Sequence, residues 1–575
     1  MSLQEGNYWM RPLSRRRLLR GAALGGAGLL AFAAACGKSS TGSTTSSSGN
    51  SSGKAAGSGT PSGLAFPSRT LDGNGSGGSL VIAMTATNLP IPDSYVTEGG
   101  EGFRFVGTQL YQGLTRLDLT QNDTLPTPQP GMATSWDPPK DASSNVWTFH
   151  LRPNVVFHGG QPFNADAAIF AFDRVFNPNF QYYSKQMAAY SAASLRFVKG
   201  YQKVDDMTIQ IETKEAYSFL HWALIGIMFP SPAAVKQYGD KFFEHPVGTG
   251  PFKFTSMQVG QSMEMAPFDK YWGGKPKLDK LILRPIPQDT TRLAELKTGG
   301  VNWSEVPPHD SVTELKSAGY QMIIGPYPHE WPYVLNCVNP PFNNKLVRQA
   351  ANFALDRTGM ASKLLNGLAE PTGALLYPSN PWYGAATPYT YDPAKAKALL
   401  AQAGFPNGVT GTIKAPSSGS GNMWPIEMNQ FVQKNLADVG INLKVQTVEW
   451  QSLLNEWVAD RTKGFGPDTA GFCFSLGTTT PDSFAQLFTG SGGPNVNQSQ
   501  YDNPKVDQLM LQCRQTYDYN QQVEILKQVH PLLVDDAPWL YIVHDLNARA
   551  MSSKVRGVID PQSWYIDLTH AWVAS

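Results

Sequence analysis

The sequence predicts an α/β protein with more than one lobe, on three observations. The chain has 575 residues, well beyond the roughly 250–300 that one hydrophobic core usually serves. Met428, Phe431, Val432, Leu436 and Val439 form an apolar stripe at helical spacing that stops at Gly440. Ile441, Leu443 and Val445 then alternate with Asn442, Lys444 and Gln446 as a strand, and helix, glycine and strand in such succession mark an α/β layer. Composition agrees: 41% of residues are apolar and 16% charged, so the chain is not disordered by charge.

The other elements follow the same periodicities. Leu80 to Met84 reads as the first buried strand. Trp147, Phe149 and Leu151 alternate with polar neighbours, as do Met207, Ile209 and Ile211, giving half-buried strands. Leu278 to Arg284 is a further strand, followed by a helix over about 290–297 closed by Gly299-Gly300. Val347, Ala350, Ala351, Ala354 and Leu355 share a helix face. Asp392-Pro393 opens a helix with a capping carboxylate and a first-turn proline, and Gly404 ends it. Pro538 to Val543 reads as a buried strand returning to an earlier sheet.

The first eighty residues read as an address and a tether. Ser14-Arg15-Arg16-Arg17-Leu18-Leu19-Arg20 precedes a short apolar stretch from Gly21 to Ala35, the pattern of a secretory signal resembling the twin-arginine type. Ala33-Ala34-Ala35-Cys36 resembles a bacterial lipobox, with Ala in place of the usual Leu and Cys36 as the lipidated terminus. Cleavage there removes five arginines and Glu5, which turns the net charge from +1 to −3. Residues 37–78 are mostly Ser, Gly and Thr, a flexible tether that holds a body off a membrane face. Lys+Arg 46 against Asp+Glu 45 argues against a broad basic nucleic-acid surface. With Cys36 lipidated, Cys337, Cys473 and Cys513 allow at most one disulfide, and small buried thiols are the simpler reading.

Catalytic and metal motifs are missing. His329-Glu330 is followed by Trp331-Pro332, and proline breaks the helix that a zinc-binding H-E-x-x-H needs. Gly274-Lys275 runs into Pro276, so there is no phosphate loop; no nucleophile elbow occurs, and the nine histidines are scattered. No cofactor or metal is expected. A dispersed catalytic group on the same scaffold, as in a secreted hydrolase, is the enzymatic alternative.

Several segments, in order, resemble the extracytoplasmic solute-binding proteins of ABC importers, the peptide/nickel family 5 group. They are Leu110 to Leu117 (LYQGLTRL), Ala133 to Trp136, the long stretch Trp147 to Asp166 (WTFHLRPNVVFHGGQPFNAD), Val247 to Phe252 (VGTGPF) and Tyr271-Trp272. Val347 to Ala350, Ala354 to Arg357 and Leu399 to Phe405 continue the set, which spans roughly 79–562. Arg152-Pro153-Asn154 and Gly159-Gly160 read as turns, and Gly248 to Pro251 as stiff punctuation, all scaffold rather than ligand contacts.

The resemblance implies a two-lobed periplasmic-binding-protein fold of type II (cluster C) with a hinged cleft. Lobe I would combine 79–113, 245–330 and 536–575, with a subdomain, 114–244, inserted in it. Lobe II would be 331–535, joined through crossings near Tyr333–Asn336 and Pro538–Val543. The implied function is capture of a small solute by lobe closure and delivery to an ABC permease, outside the membrane, with lipid as the only membrane attachment and a monomer as the simplest state. Peptide is the family default and oligosaccharide the alternative; a signalling receptor on the same fold is a third.

In peptide-binding members an aspartate ahead of a "D-P-D-x-F" segment holds the peptide's ammonium group. Phe472 to Phe484 matches here, but the aspartate's place falls to Gly477 or Thr478, which cannot pair with a cation. A desolvated, unpaired ammonium costs several kcal/mol, so a neutral or anionic ligand gains ground. Asp482 reads as a helix cap or supporting group rather than a direct salt bridge. Trp450, in the strand-end pair Glu449-Trp450, and Phe474 with Ser475 are the cleft-wall candidates, and Trp424 and Tyr111 are further ones.

Overall fold

A computed structural model of the chain describes residues 75–94, 97–122, 125–140, 143–192, 194–325, 329–459, 465–490, 497–563 and 565–575. The signal, Cys36 and most of the tether lie outside these residues. Among the described residues no helix is long and apolar enough to cross a membrane.

Two large mixed sheets dominate. The first, of seven strands, runs in the order Gln321–Ile323, Arg549–Met551, Trp303–Glu305, Ser79–Met84, Lys280–Pro285, Ser262–Pro267, Phe252–Gln258. Its centre is the expected apolar strand: Ser79–Met84 pairs in parallel with both Lys280–Pro285 and Trp303–Glu305. The helix Asp289–Thr298 ends at Gly299, whose φ of 79° no branched side chain would hold cheaply.

The second sheet runs Ala369–Glu370, Trp539–Asp545, His329–Leu335, Gly471–Cys473, Val409–Pro416, Ile441–Val448, and Leu476–Gly477 adds to His329–Leu335. The expected helices surround it: Lys345–Phe353, Pro393–Gln402 capped by Asp392, and Pro425–Ala437. A four-stranded antiparallel sheet, Ala133–Asp137, Val146–Leu151, Thr208–Thr213 and Val198–Asp205, stands between strands 79–84 and 252–258 in the chain. Val146–Leu151 and Thr208–Thr213 show the alternating burial that their sequences predict.

The crossings differ from expectation. Tyr333–Leu335 and Trp539–Val543 lie inside the second sheet, paired with each other and fully buried. The chain instead leaves the first sheet after Ile323 and enters the second at His329, and it returns between Asp545 and Arg549. The residues 536–545 therefore belong with the second sheet.

Gly248 and Gly250 answer to close approach. A Cβ on Gly248 would sit 2.0 Å from the Leu110 carbonyl oxygen, and one on Gly250 2.3 Å from that of Gln109. His158 fixes this passage: its N–H donates to the Gly248 carbonyl at 2.8 Å and its ring reaches the Gly250 carbonyl at 3.0 Å. Cys337, Cys473 and Cys513 are free thiols.

Candidate functional site

The candidate site lies where segments tied to the first sheet meet segments tied to the second. From the first come Thr85–Ala86, the turn Glu98–Arg104, Trp303–Glu305 and His309. From the second come His329, the loop Ser417–Trp424, Trp450–Gln451 and Phe474–Thr478. The two sides touch directly. The Glu101 N–H donates to Ser420 Oγ and the Glu98 N–H to Gln451 Oε1, both at 2.9 Å. His309 meets Trp424 edge-on at 5.2 Å.

Trp424, Trp450, Phe474, Ser475, Gly477 and Thr478 come together on the second-sheet side. Trp450 opens the helix Trp450–Ala459 and meets Phe474 at 6.1 Å, with Trp457 4.7 Å from Phe474 on the same side. The Trp450 ring is enclosed. A Cβ on Gly419 would fall 2.4 Å from it and one on Gly99 3.0 Å, so two glycines make room for one indole. The Ser475 N–H donates to Asn422 Oδ1 at 3.1 Å, and Ser475 Oγ lies 2.5 Å from His329 Nδ1.

Gly477 pairs in register with His329. A Cβ there would stand 2.5 Å from His329 Nε2. An imidazole thus fills the space beside position 477. Burial, then His544 and Arg104, hold His329 well below the usual histidine range, so the ring is neutral at pH 7.

One expectation does not hold in this geometry, and half of another does not. Tyr111 is sealed in the first-sheet core, where its hydroxyl donates to the Pro92 carbonyl at 2.8 Å; it borders only a cavity of about 60 Å³ shared with Arg116, Tyr271 and Asp567. Asp482 does not cap its helix. Thr480 does, through a reciprocal box with Ser483. Asp482 is placed as a supporting group: its carboxylate pairs with the chain's own Arg196, with Nη2 to Oδ1 at 3.0 Å.

The first-sheet side carries residues the sequence reading did not single out. Arg104 pairs with Glu305, which also accepts from Trp303 Nε1 at 2.6 Å and faces Arg549 Nε at 3.3 Å. Glu101 accepts from the Thr85 and Ala86 N–H groups at 2.8 and 2.9 Å, and burial followed by Glu305 raises its carboxyl above the usual range. Burial, then Glu449, lifts Glu98 to about 8. Burial lifts Asp545 to about 7. Arg104 Nε is buried with no hydrogen-bond partner. Near neutral pH the site therefore offers neutral imidazole, hydroxyl and partly protonated carboxyl groups beside a guanidinium. Among the described residues no three His, Cys, Asp or Glu are placed to hold a metal ion.

Comparison with known proteins gives the family. A model of the bacterial extracellular solute-binding proteins, family 5, matches residues 127–495. The glutathione-binding protein GsiB of Pectobacterium atrosepticum is 30% identical over 436 residues, 74% of this chain and 82% of that protein. Heme-binding protein A of Haemophilus influenzae is 29% identical over 491 residues, 81% of this chain and 87% of that protein. The periplasmic binding protein DppA of Helicobacter pylori, solved with the peptide STSA, superposes with a TM-score of 0.75 at 25% identity, covering 87% of this chain and 99% of that one. The two large sheets are the two lobes of the type II binding-protein fold that such structures share. The chain belongs to the family 5 bacterial extracellular solute-binding proteins, which serve ABC importers as binding proteins and not as enzymes.

Proposed function

We propose that this chain captures a peptide-sized solute by closure of its two lobes, and that the solute presents no free α-ammonium group to position 477. The single observation behind the reading is the His329–Gly477 pairing, which puts a neutral ring where a cation would need a carboxylate. Arg104, paired with Glu305, keeps a buried Nε without a hydrogen-bond partner, a donor for an acyl or carboxylate oxygen. A relative described as binding heme is consistent with a ligand that has no peptide amino terminus. An oligosaccharide is the weaker reading, because the Trp450 ring that would stack on a sugar is already covered by Gly99 and Gly419.

The export signal and Cys36 complete the proposal: a lipid-held monomer on the outer membrane face, its body swung on residues 37–78, passing the solute unaltered to the permease. Closure is favoured only by contacts a solute makes preferentially with the closed form. Calorimetric titration of the mature chain with a tripeptide and its N-acetyl form tests this. Binding of the blocked compound supports it; binding of the free-amine tripeptide alone overturns it.

A further inference from the structure

The ion pairs of Asp482 and Arg514 join parts of the fold that the chain connects to different lobes. The four-stranded sheet and its loops stand between strands Ser79–Met84 and Phe252–Gln258 of the first sheet. Asp482 and Arg514 stand between strands Gly471–Cys473 and Trp539–Asp545 of the second.

Asp482, 2% exposed, accepts four hydrogen bonds: Arg196 Nη1 and Nη2 at 3.1 and 3.0 Å, the Tyr217 hydroxyl at 2.8 Å and Gln486 Nε2 at 2.7 Å. Beside it the charges are exchanged. Arg514 of the second lobe meets Glu215 of the subdomain at 3.0 Å, and both Arg196 and Arg514 lie over the Phe197 ring, at 4.6 and 4.5 Å. Backbone bonding adds to this: the Ser218 N–H donates to the Arg514 carbonyl at 2.9 Å, and Gln522 Nε2 donates to Ser218 Oγ at 3.0 Å. Trp147 meets Tyr517 at 5.9 Å across the same seam.

Asp482 is also two residues past the Thr480 cap and five past Gly477. The capped helix start ties the carboxylate to the wall segment 475–480. We propose that Arg196, Tyr217 and Asp482 are positioning residues: through them the subdomain holds that wall in place and retains the closed arrangement of the lobes. A bidentate pair that is dry in one arrangement and wet in the other favours the one in which it is made, and removal of either partner strands a buried charge. The inference rests on the cleft reading above for what the wall does, but its first measurement needs no solute.

Spin labels at Ser256→Cys, on the first sheet, and Lys505→Cys, on the helix Pro504–Gln515, report the lobe separation in the mature chain with Cys337→Ser. Asp482→Asn and Arg196→Met should each raise the ratio of long to short distances at least tenfold, with Arg196→Lys intermediate because the fork is lost and the charge kept. Glu215→Gln, which leaves Asp482 untouched, should shift the distribution the same way by less. A lowered unfolding midpoint with an unchanged distance distribution in all four variants would overturn the proposal. With N-acetyl tripeptide as the probe, dissociation from the Asp482→Asn chain should be at least tenfold faster. Failure of the parent chain to bind that probe counts against the solute reading, and the label distances still decide this one.

Discussion

His329 Nε2 lies 2.5 Å from the point at which a side chain on Gly477 would begin, and the two residues face each other across paired strands. The glycine and the histidine are one feature. The ring can lie flat against the strand only because nothing projects from 477, and it is held there by Ser475 Oγ at 2.5 Å from Nδ1.

Gly477→Asp should therefore destabilise the chain, by about 1–3 kcal/mol as overpacking usually does. Combining it with His329→Ala should recover most of that loss. The double variant should also bind a free-amine tripeptide at least tenfold more tightly than the parent does, read by calorimetry.

Glu98 sets one pH response. Its carboxyl, raised to about 8 by burial and then Glu449, holds a proton in the folded chain that it loses in the unfolded one above its ordinary value of 4.5. Its contribution to stability is complete below 4.5 and is lost as pH rises through 8. Glu98→Gln should flatten the fall in melting temperature between those limits, and a variant curve parallel to the parent's would contradict this.

Histidines set the opposite response at lower pH. Burial lowers His158, His221, His530 and His544 to about 4 each, from 6.5. Unfolding then takes up protons between those values, so stability falls as pH drops from 6.5 towards 4, by about 1.4 kcal/mol per pH unit for each histidine. Burial raises the carboxyls of Glu98, Glu101, Glu330 and Asp545, which act in the opposite direction, so the histidine contribution is read by difference. The fall in melting temperature from pH 6.5 to 4 should be shallower in His544→Gln than in the parent chain, and an equal slope would contradict this.

Gly419 has a φ of 111° and a Cβ there would meet Trp450 at 2.4 Å. Gly419→Ala combines strain with overpacking, and a loss of about 2 kcal/mol or more is expected in denaturant unfolding. Tyr111→Phe, in contrast, removes one hydroxyl from the Pro92 carbonyl; about 1 kcal/mol of stability should go, with solute affinity unchanged.

Much of the scaffold was legible because half-buried strands alternate: Val146–Leu151 and Thr208–Thr213 follow their sequence pattern residue for residue. The strand His329–Leu335 was not. All seven of its residues are buried, so no alternation exists to see, and it contains His329, Glu330 and Pro332. A register shift between Trp331 and Tyr333 accommodates the proline, which otherwise argues against a central strand. The crossings were displaced for that reason. The segment Phe474–Thr478 was singled out by resemblance. Its chemistry was hidden because His329 lies 146 residues from Ser475, and Arg196 lies 286 from Asp482. Single-chain patterns carry local period, not such pairings.

The most direct test is calorimetric titration of the mature chain with one tripeptide in free-amine and N-acetyl forms. The N-acetyl form should bind at least as tightly as its free counterpart. Tenfold tighter binding of the free amine would show that the His329–Gly477 wall accepts a cation and would contradict the account.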